Sequence, residues 1–323
     1  MWSPQQTYDD ARLIRDLQMR LVKTLRAQHD GRPYALLDFP WFPNVGDSVL
    51  WLGARHALED ATGTAPAYAA GQPNLEPGRL RARLHGGTIY LLGGGNFGDL
   101  YLHHQQFRTR VIREFPELRI VQLPQSIHFT TAQAEADIRD VIVQHGAVTL
   151  MLRDHPSFEN AQRMGAQRTL LVPDLAFGLG PRRRPCKPRA DVVALRRVDG
   201  ESRGALDAQW GDCTIRTDWP TREYHQWQVR LARQLTRAGR YPSPLSARMQ
   251  LSVMDALARW RVERGERMLS QGHYVKTDRL HGHLMCMLLG IPHDVIDNST
   301  GKISAMIDAW TAPSTLLRGR PER

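Results

Sequence analysis

The sequence predicts an α/β protein of two doubly wound domains, and three observations carry that expectation. From residue 34 to residue 178, apolar runs of strand length alternate with stretches of helix length, the pattern of a parallel sheet with helices on both faces. The run Gly180-Pro181-Arg182-Arg183-Arg184-Pro185-Cys186-Lys187-Pro188-Arg189 then breaks the alternation, rich in Pro and Arg and without periodicity. Beyond it, Asp191–Leu195 begins a second round of strand and helix. A chain of 323 residues is long enough for two cores. The division expected is 1–180 for the first domain, 181–189 for a linker, 190–300 for the second domain, and 301–323 for a helix and tail with room to cross back.

Residues 9–28 read as a helix, with Leu13, Ile14, Leu17, Leu21, Val22 and Leu25 on one side and Arg12, Arg15, Arg20, Lys23 and Arg26 interspersed. Such a basic amphipathic helix either packs on its own domain or lies on a membrane surface. Tyr34–Phe39 is a strand, and a loop with Asn44 and Asp47 leads to a helix from Ser48 to Leu58. Asp47 stands at that helix start, where it serves either as an N-cap or as a group facing a ligand. Thr88–Leu92 enters the turn Gly93-Gly94-Gly95-Asn96-Phe97-Gly98-Asp99, where consecutive glycines let backbone approach a ligand. It is neither GxGxxG nor a P-loop. Ile120–Leu123 is the next strand, with Gln125, Ser126 and His128 just past its end. Val148–Leu152 ends in Arg153-Asp154 before a helix at Ser157–Met164, and Leu170–Asp174 is a short strand.

In the second half, Arg196-Arg197 end the strand Asp191–Leu195, and helices are expected over about 222–238 and 245–270. The most informative stretch follows: His273–Lys276 as a buried strand, Thr277 or Asp278 as N-cap, and a helix from Leu280 to Leu289 closed by Gly290 and Pro292. Lys276, Arg279, His281 and His283 crowd at that helix N-terminus. Free backbone N–H groups and the positive end of the dipole favour an anion there. An Arg fork matches carboxylate or phosphate, and a neighbouring His is a candidate general acid. The last strand expected is Val295–Asn298, followed by a helix from Gly301 to Trp310.

Composition narrows the classes. The net charge is +10, yet only four of the 43 basic residues are Lys (Lys23, Lys187, Lys276, Lys302), and the arginines are scattered without a nucleic-acid motif. No nucleic-acid partner is expected. Cys186, Cys213 and Cys286 are widely spaced and form no CxxC pair, which argues against a disulfide framework or zinc site and suits a reducing compartment. His281 and His283 are not read as a metal pair, because residues two apart on a helix face different ways. No apolar run reaches 18 residues and no signal-peptide pattern opens the chain. A cytoplasmic protein is expected, with peripheral contact at the inner membrane face in reach of its basic surface.

Two doubly wound domains would each offer ligands the C-terminal ends of their strands, facing one cleft. The first contributes Asn44, Asp47, the Gly93–Gly95 turn, Asn96 and Gln125, suited to hydroxyl-rich ligands; the second contributes Arg196, Lys276, Arg279 and His281, suited to an anion. That division reads as a transferase with an anionic donor.

Asn44-Val45-Gly46-Asp47, the Gly93–Asp99 turn, Leu123-Pro124-Gln125-Ser126-Ile127, Arg153-Asp154, Thr277-Asp278-Arg279-Leu280-His281-Gly282 and Asp297-Asn298-Ser299-Thr300-Gly301-Lys302 together resemble the polysaccharide pyruvyl transferase family, most closely its bacterial exopolysaccharide branch. The resemblance implies a GT-B-like fold, two Rossmann-like domains facing a central cleft, with phosphoenolpyruvate as donor and no cofactor. The acceptor would be a hydroxyl pair on an exopolysaccharide repeat unit, free or lipid-linked; the products would be a cyclic pyruvate ketal and phosphate. Donor-binding residues carry over onto Arg279, Leu280 and His281, with Arg153 or Arg196 as a further arginine and Lys276 beside them. His281 is the candidate acid. Asp47 is the candidate for orienting or deprotonating the hydroxyl, with Asp99 as substitute, and Asn44, Asn96 and Gln125 complete the acceptor side. The sequence departs from the family pattern at Ser299-Thr300, where an aromatic residue is expected before the glycine. Two rival readings stand beside this one: a GT-B glycosyltransferase using a nucleotide sugar, for which no acidic residue is placed to take the ribose after Leu195, and a non-catalytic basic protein on membrane or nucleic acid.

Overall fold

The computed structural model describes residues 4–166, 168–197, 210, 211, 213–219, 234, 244–297 and 300–320. Two wholly parallel sheets form, as the strand–helix alternation requires. The first comprises β1 (Tyr34–Leu37), β2 (Tyr68–Ala70), β3 (Thr88–Leu91), β4 (Gly94–Gly98), β5 (Arg119–His128), β6 (Val148–Leu152) and β7 (Arg168–Leu171). Its order is β2-β1-β3-β5-β6-β7, with β4 joined to the far end of β5. Alternate side chains leave opposite faces, as a period of two demands. Leu36, Tyr90, Val121 and Met151 enter one apolar cluster, and Leu37, Ile89, Ile120 and Leu150 the other. Helices α1 (Pro4–Gln28) and α2 (Val45–Thr62) cover the first face; α3 (Pro77–Leu84), α4 (Leu102–Glu114), α5 (Ala132–His145) and α6 (His155–Arg163) cover the second.

The second sheet holds β8 (Ala190–Leu195), β9 (Ile215–Thr217), β10 (Gly272–Thr277), β11 (His293–Val295) and β12 (Leu317–Gly319), in the order β12-β11-β10-β8-β9. Its described helices are α7 (Pro244–Ser270), α8 (Leu280–Leu288) and α9 (Lys302–Met306), the last running on into a wider turn at Ile307–Thr311. The helix expected over 222–238 falls mostly outside the described residues, as do Asn298 and Ser299. The stretch 181–189 is irregular but anchored: Arg182 bonds Glu266 at 2.8 Å and Arg189 bonds Gln271 at 3.1 Å.

Strand β12 lies beyond the last strand expected from the sequence. Between α9 and β12, Trp310 Nε1 donates to the backbone oxygen of Arg153 at 2.8 Å. The chain then runs to the second sheet, and Asp10 of α1 holds the turn before β12 through Ser314 at 2.7 Å. The larger apolar cluster takes side chains from α1, α2 and the first sheet together with β8, α7, α8 and β11. Both sheets therefore share a core.

Candidate active site

In each sheet the strand order reverses once, and crevices open at such points. The first reversal lies between β1 and β3; the second lies between β8 and β10. The loops leaving those four strands meet at one cleft of about 390 Å³, a volume suited to a small ligand.

From the first half, Asn44 caps α2, its side chain accepting from Gly46 N at 2.8 Å. The helix thus begins at Val45, three residues earlier than its apolar pattern suggests, and Asp47 sits in its first turn with its carboxylate at the cleft. Gly95 lies against Arg153 and Lys302, both 3.2 Å from where a Cβ would stand, so a side chain there would fill the space between two cations. Asn96 lines the cleft with its amide oxygen taken at 2.9 Å by both Arg108 and Gln125. Arg108 donates only, so the oxygen faces it and the amide nitrogen is what Asn96 offers a ligand. Burial lowers Arg108 to about 10, and amide oxygens of Gln122 and Gln105, each at 2.7 Å, complete its cage.

From the second half, Arg279 takes the N-cap position of α8, with Thr277 Oγ1 accepting its backbone N–H at 3.1 Å. The expected caps are thus displaced by one or two residues: Thr277 caps from behind, and Asp278 turns aside to accept from Arg197 N at 2.8 Å. Burial pushes the Asp278 carboxyl up to about 6. The Arg279 guanidinium is fixed at the cleft wall by Asp218, which takes its Nε and, at 2.7 Å, its Nη2. His281 also lines the cleft. It packs so closely on α2 that a Cβ at Gly46 would come within 2.7 Å of its Nδ1, and the N-termini of the two helices therefore converge on one space.

Arg153 is fixed within the first half by buried polar partners. It is 1% exposed; its Nε bonds Ser126 at 2.8 Å and its Nη1 bonds Asp174 at 2.6 Å. Burial alone would raise the Asp174 carboxyl, but the Arg153 charge, with His281 and the Ala176 N–H adding to it, holds it well below the usual carboxylate range. The same carboxylate stands 3.8 Å from His281 Nε2, an ion-pair distance rather than a hydrogen bond.

Seven of the expected site residues thus meet in the cleft: Asn44, Asp47, Asn96, Arg153, Arg279, Leu280 and His281. Gln125 is fully buried one layer behind, supporting Asn96. Three others lie elsewhere. Arg196 stacks over Trp210 at 5.6 Å, and it is the next residue, Arg197, that reaches the cleft. Lys276 donates to the Trp210 backbone at 3.3 Å, and Lys302 lines the cleft instead. Asp99 pins the turn between β5 and α5 by accepting from Thr130 N at 2.8 Å and Thr131 N at 3.1 Å; those bonds outweigh burial and lower its pKa. His283 is buried against His293 at 2.7 Å and Thr311 at 2.9 Å, away from His281. Among the described residues no three His, Cys, Asp or Glu side chains gather as a metal site.

The cleft also holds residues the sequence reading passed over. His103 and His104 line it from α4, backed by Asp38, whose carboxylate meets His104 Nδ1 at 3.0 Å. Asp38 sits at φ 71, a left-handed conformation rare for a side-chain-bearing residue. Burial opposes the charged form of His104, but the Asp38 hydrogen bond and charge win and raise its pKa, with Asp47 adding to the effect. His103 moves the other way, lowered by burial and by His104. Phe42, Tyr101 and Trp219 supply aromatic surface.

The sequence model of polysaccharide pyruvyl transferases matches residues 44–300, from the N-cap of α2 to just past β11, and so takes in the cleft residues from Asn44 to His281. The chain belongs to that family. Relatives agree with it. Pyruvyl transferase 1 of Schizosaccharomyces pombe is 30% identical over 296 residues, covering 87% of this chain and 70% of its own length. EpsO of Bacillus subtilis, provisionally named a pyruvyl transferase, is 29% identical and covers 87% of this chain and 86% of its own. As a polysaccharide pyruvyl transferase, the protein is a transferase. A functionally uncharacterized Klebsiella pneumoniae protein of known crystal structure, KP1_0663, superposes with a TM-score of 0.61 over 94% of this chain and 98% of its own, at 16% identity, and so shares the fold. None of the helices among this transferase's described residues is long and apolar enough to cross a membrane.

Proposed function

We propose that the cleft binds phosphoenolpyruvate and transfers its pyruvyl unit to two hydroxyls of a saccharide, forming a cyclic ketal and releasing phosphate, on a GT-B-like frame and without a cofactor. One observation carries this reading: Arg153, Arg197, Arg279 and Lys302, drawn from both halves, ring a small space onto which two helix N-termini converge. That arrangement suits a compact molecule bearing both a carboxylate and a phosphate. Aromatic walls and the amides of Asn44 and Asn96 suit a sugar ring beside it.

In the proposed reaction His281 gives a proton to the methylene carbon, which becomes a methyl group, and positive charge builds on the adjacent carbon. A sugar hydroxyl adds there, its proton passing to Asp47. A second hydroxyl then displaces phosphate at the same carbon and closes the ketal; its proton leaves with the phosphate, and the proton on Asp47 restores the one His281 gave. The surrounding cations hold the charge that moves onto the leaving group. The exposed face of α1, with Arg12, Arg15, Lys23 and Arg26, supports peripheral contact with an anionic inner membrane face, where lipid-linked repeat units would be met.

The test is phosphate release from phosphoenolpyruvate with a panel of glycosides, run beside nucleotide sugars, with mass analysis of the product. The expected product is heavier by one ketal-linked pyruvyl unit, and His281→Ala abolishes release while the melting transition stays in place. Turnover of a nucleotide sugar with none of phosphoenolpyruvate would overturn the assignment.

A further inference from the structure

His281 presents its two ring nitrogens to different surroundings. Nε2 is closed off from solvent and has no hydrogen-bond partner among the described residues; the carboxylate of Asp174 stands 3.8 Å from it. Nδ1 lies beside Gly46 at the first turn of α2. Asp174 is itself 0% exposed and lines no part of the cleft, so it touches no substrate. Its other contacts are fixed ones, Arg153 Nη1 at 2.6 Å and Ala176 N at 2.7 Å. An imidazole held by a carboxylate on one nitrogen exchanges protons through the other.

We propose that Asp174 is a positioning residue: it retains the Nε2–H of His281 and so makes Nδ1 the nitrogen that passes a proton to the substrate. This deepens, and rests on, the assignment of His281 as the acid. The gap is about 1 Å longer than a charge-assisted hydrogen bond, slack of the kind that closes when a substrate binds. The same carboxylate fixes Arg153, leaving its Nη2 toward Gly95 and the cleft. One buried anion therefore sets both a donor-side cation and the proton source. The other charged groups around the imidazole are Asp47 on α2, Lys302 on α9, Arg197 after β8, and Arg279 on its own turn. Among the described residues, Asp174 is the carboxylate that stands at ion-pair distance from Nε2.

Two measurements on the full chain test this. In nitrogen-edited NMR, assigned by loss of the signal in His281→Gln, a resolved and slowly exchanging Nε2–H is expected; an imidazole carrying its proton on Nδ1, or an Nε2–H averaged with water, overturns the proposal without bearing on the donor. Asp174→Asn keeps an oxygen for the Ala176 N–H. It should lower kcat about 100-fold, with KM for phosphoenolpyruvate changing less than kcat. A folded Asp174→Asn variant with the wild-type kcat overturns the proposal, and if that variant does not fold the NMR result decides. Absence of phosphate release by the wild-type protein would instead strike at the assigned reaction, leaving the NMR readout intact.

Discussion

Gly46→Ala is the smallest change that reaches the proposed chemistry. A methyl group there would stand 2.7 Å from His281 Nδ1, 3.0 Å from its Cγ and 3.1 Å from its Cβ, against ordinary contact at 3.4–4 Å. The imidazole must therefore retreat by roughly 0.7 Å, and because its Cβ is crowded too, rotation of the ring alone gives no relief. Overpacking of this kind costs about 1–3 kcal/mol, offset by about 1 kcal/mol because Ala favours a helix over Gly. The net loss of stability is expected to stay under about 2 kcal/mol, a shift of a few degrees in Tm. Misplacing a reacting group by nearly 1 Å costs about 100-fold in rate. Activity should thus collapse in a protein that still folds, read as phosphate release beside a thermal melt. Gly53→Ala on the same helix is the contrast, since its Cβ would strike Leu175 backbone oxygen at 1.9 Å and harm folding itself. If Gly46→Ala keeps more than about a third of wild-type kcat, His281 is not poised where the contacts put it.

Three further outcomes follow from the same geometry. His293 is buried neutral with a pKa lowered to about 4 by burial, against about 6.5 unfolded; between those values the unfolded chain takes up a proton the folded chain refuses, so stability falls as pH drops, by about 1.4 kcal/mol per unit for this group. Melts from pH 7.5 to 4.5 should show a shallower acid slope in His293→Gln, and parallel slopes would refute the assignment. His104 runs oppositely: its raised pKa contributes stability below about pH 6.5 that is lost as pH rises through the folded value. Asp38→Asn, tolerated at a left-handed position, should therefore destabilise more at pH 6 than at pH 8 in denaturant titrations. Arg196→Ala, Lys276→Ala and Asp99→Ala remove side chains placed outside the cleft, and each should leave KM for the donor within about twofold; a tenfold rise for any of them would put that residue back in the site.

Much of this was legible in the chain. The strand before Asn44 and the Arg279–His281 turn announce themselves because strand, turn and helix follow within a dozen residues, whereas the glycine run expected as a turn after β3 forms strand β4, and α2 begins at Val45 rather than Ser48. What escaped depends on phase and distance. Arg196 and Arg197 are neighbours just past the end of β8, and adjacent side chains there take different sides; nothing in the short run Ala190–Leu195 says which of the two faces the ligand. Lys276 lies within β10, so its side chain follows the alternation of the strand rather than the turn. Asp174, Asp218 and Asp38 are partners supplied from afar: 107 residues separate Asp174 from His281, and 66 separate Asp38 from His104. A buried carboxylate at the end of a strand looks in sequence like any turn-forming Asp. The strained φ of Asp38 has no sequence signature at all.

The apolar cluster common to both sheets has a mechanical meaning for the cleft it underlies. A ligand entering between two independently folded lobes must first bring them together, and that ordering subtracts from its affinity. Here the walls are seated on one foundation, so the cations stand close before any anion arrives. Heat or denaturant should then dismantle both lobes in a single step, taking the carboxylates that hold Arg153 and Arg279 in place along with the cleft.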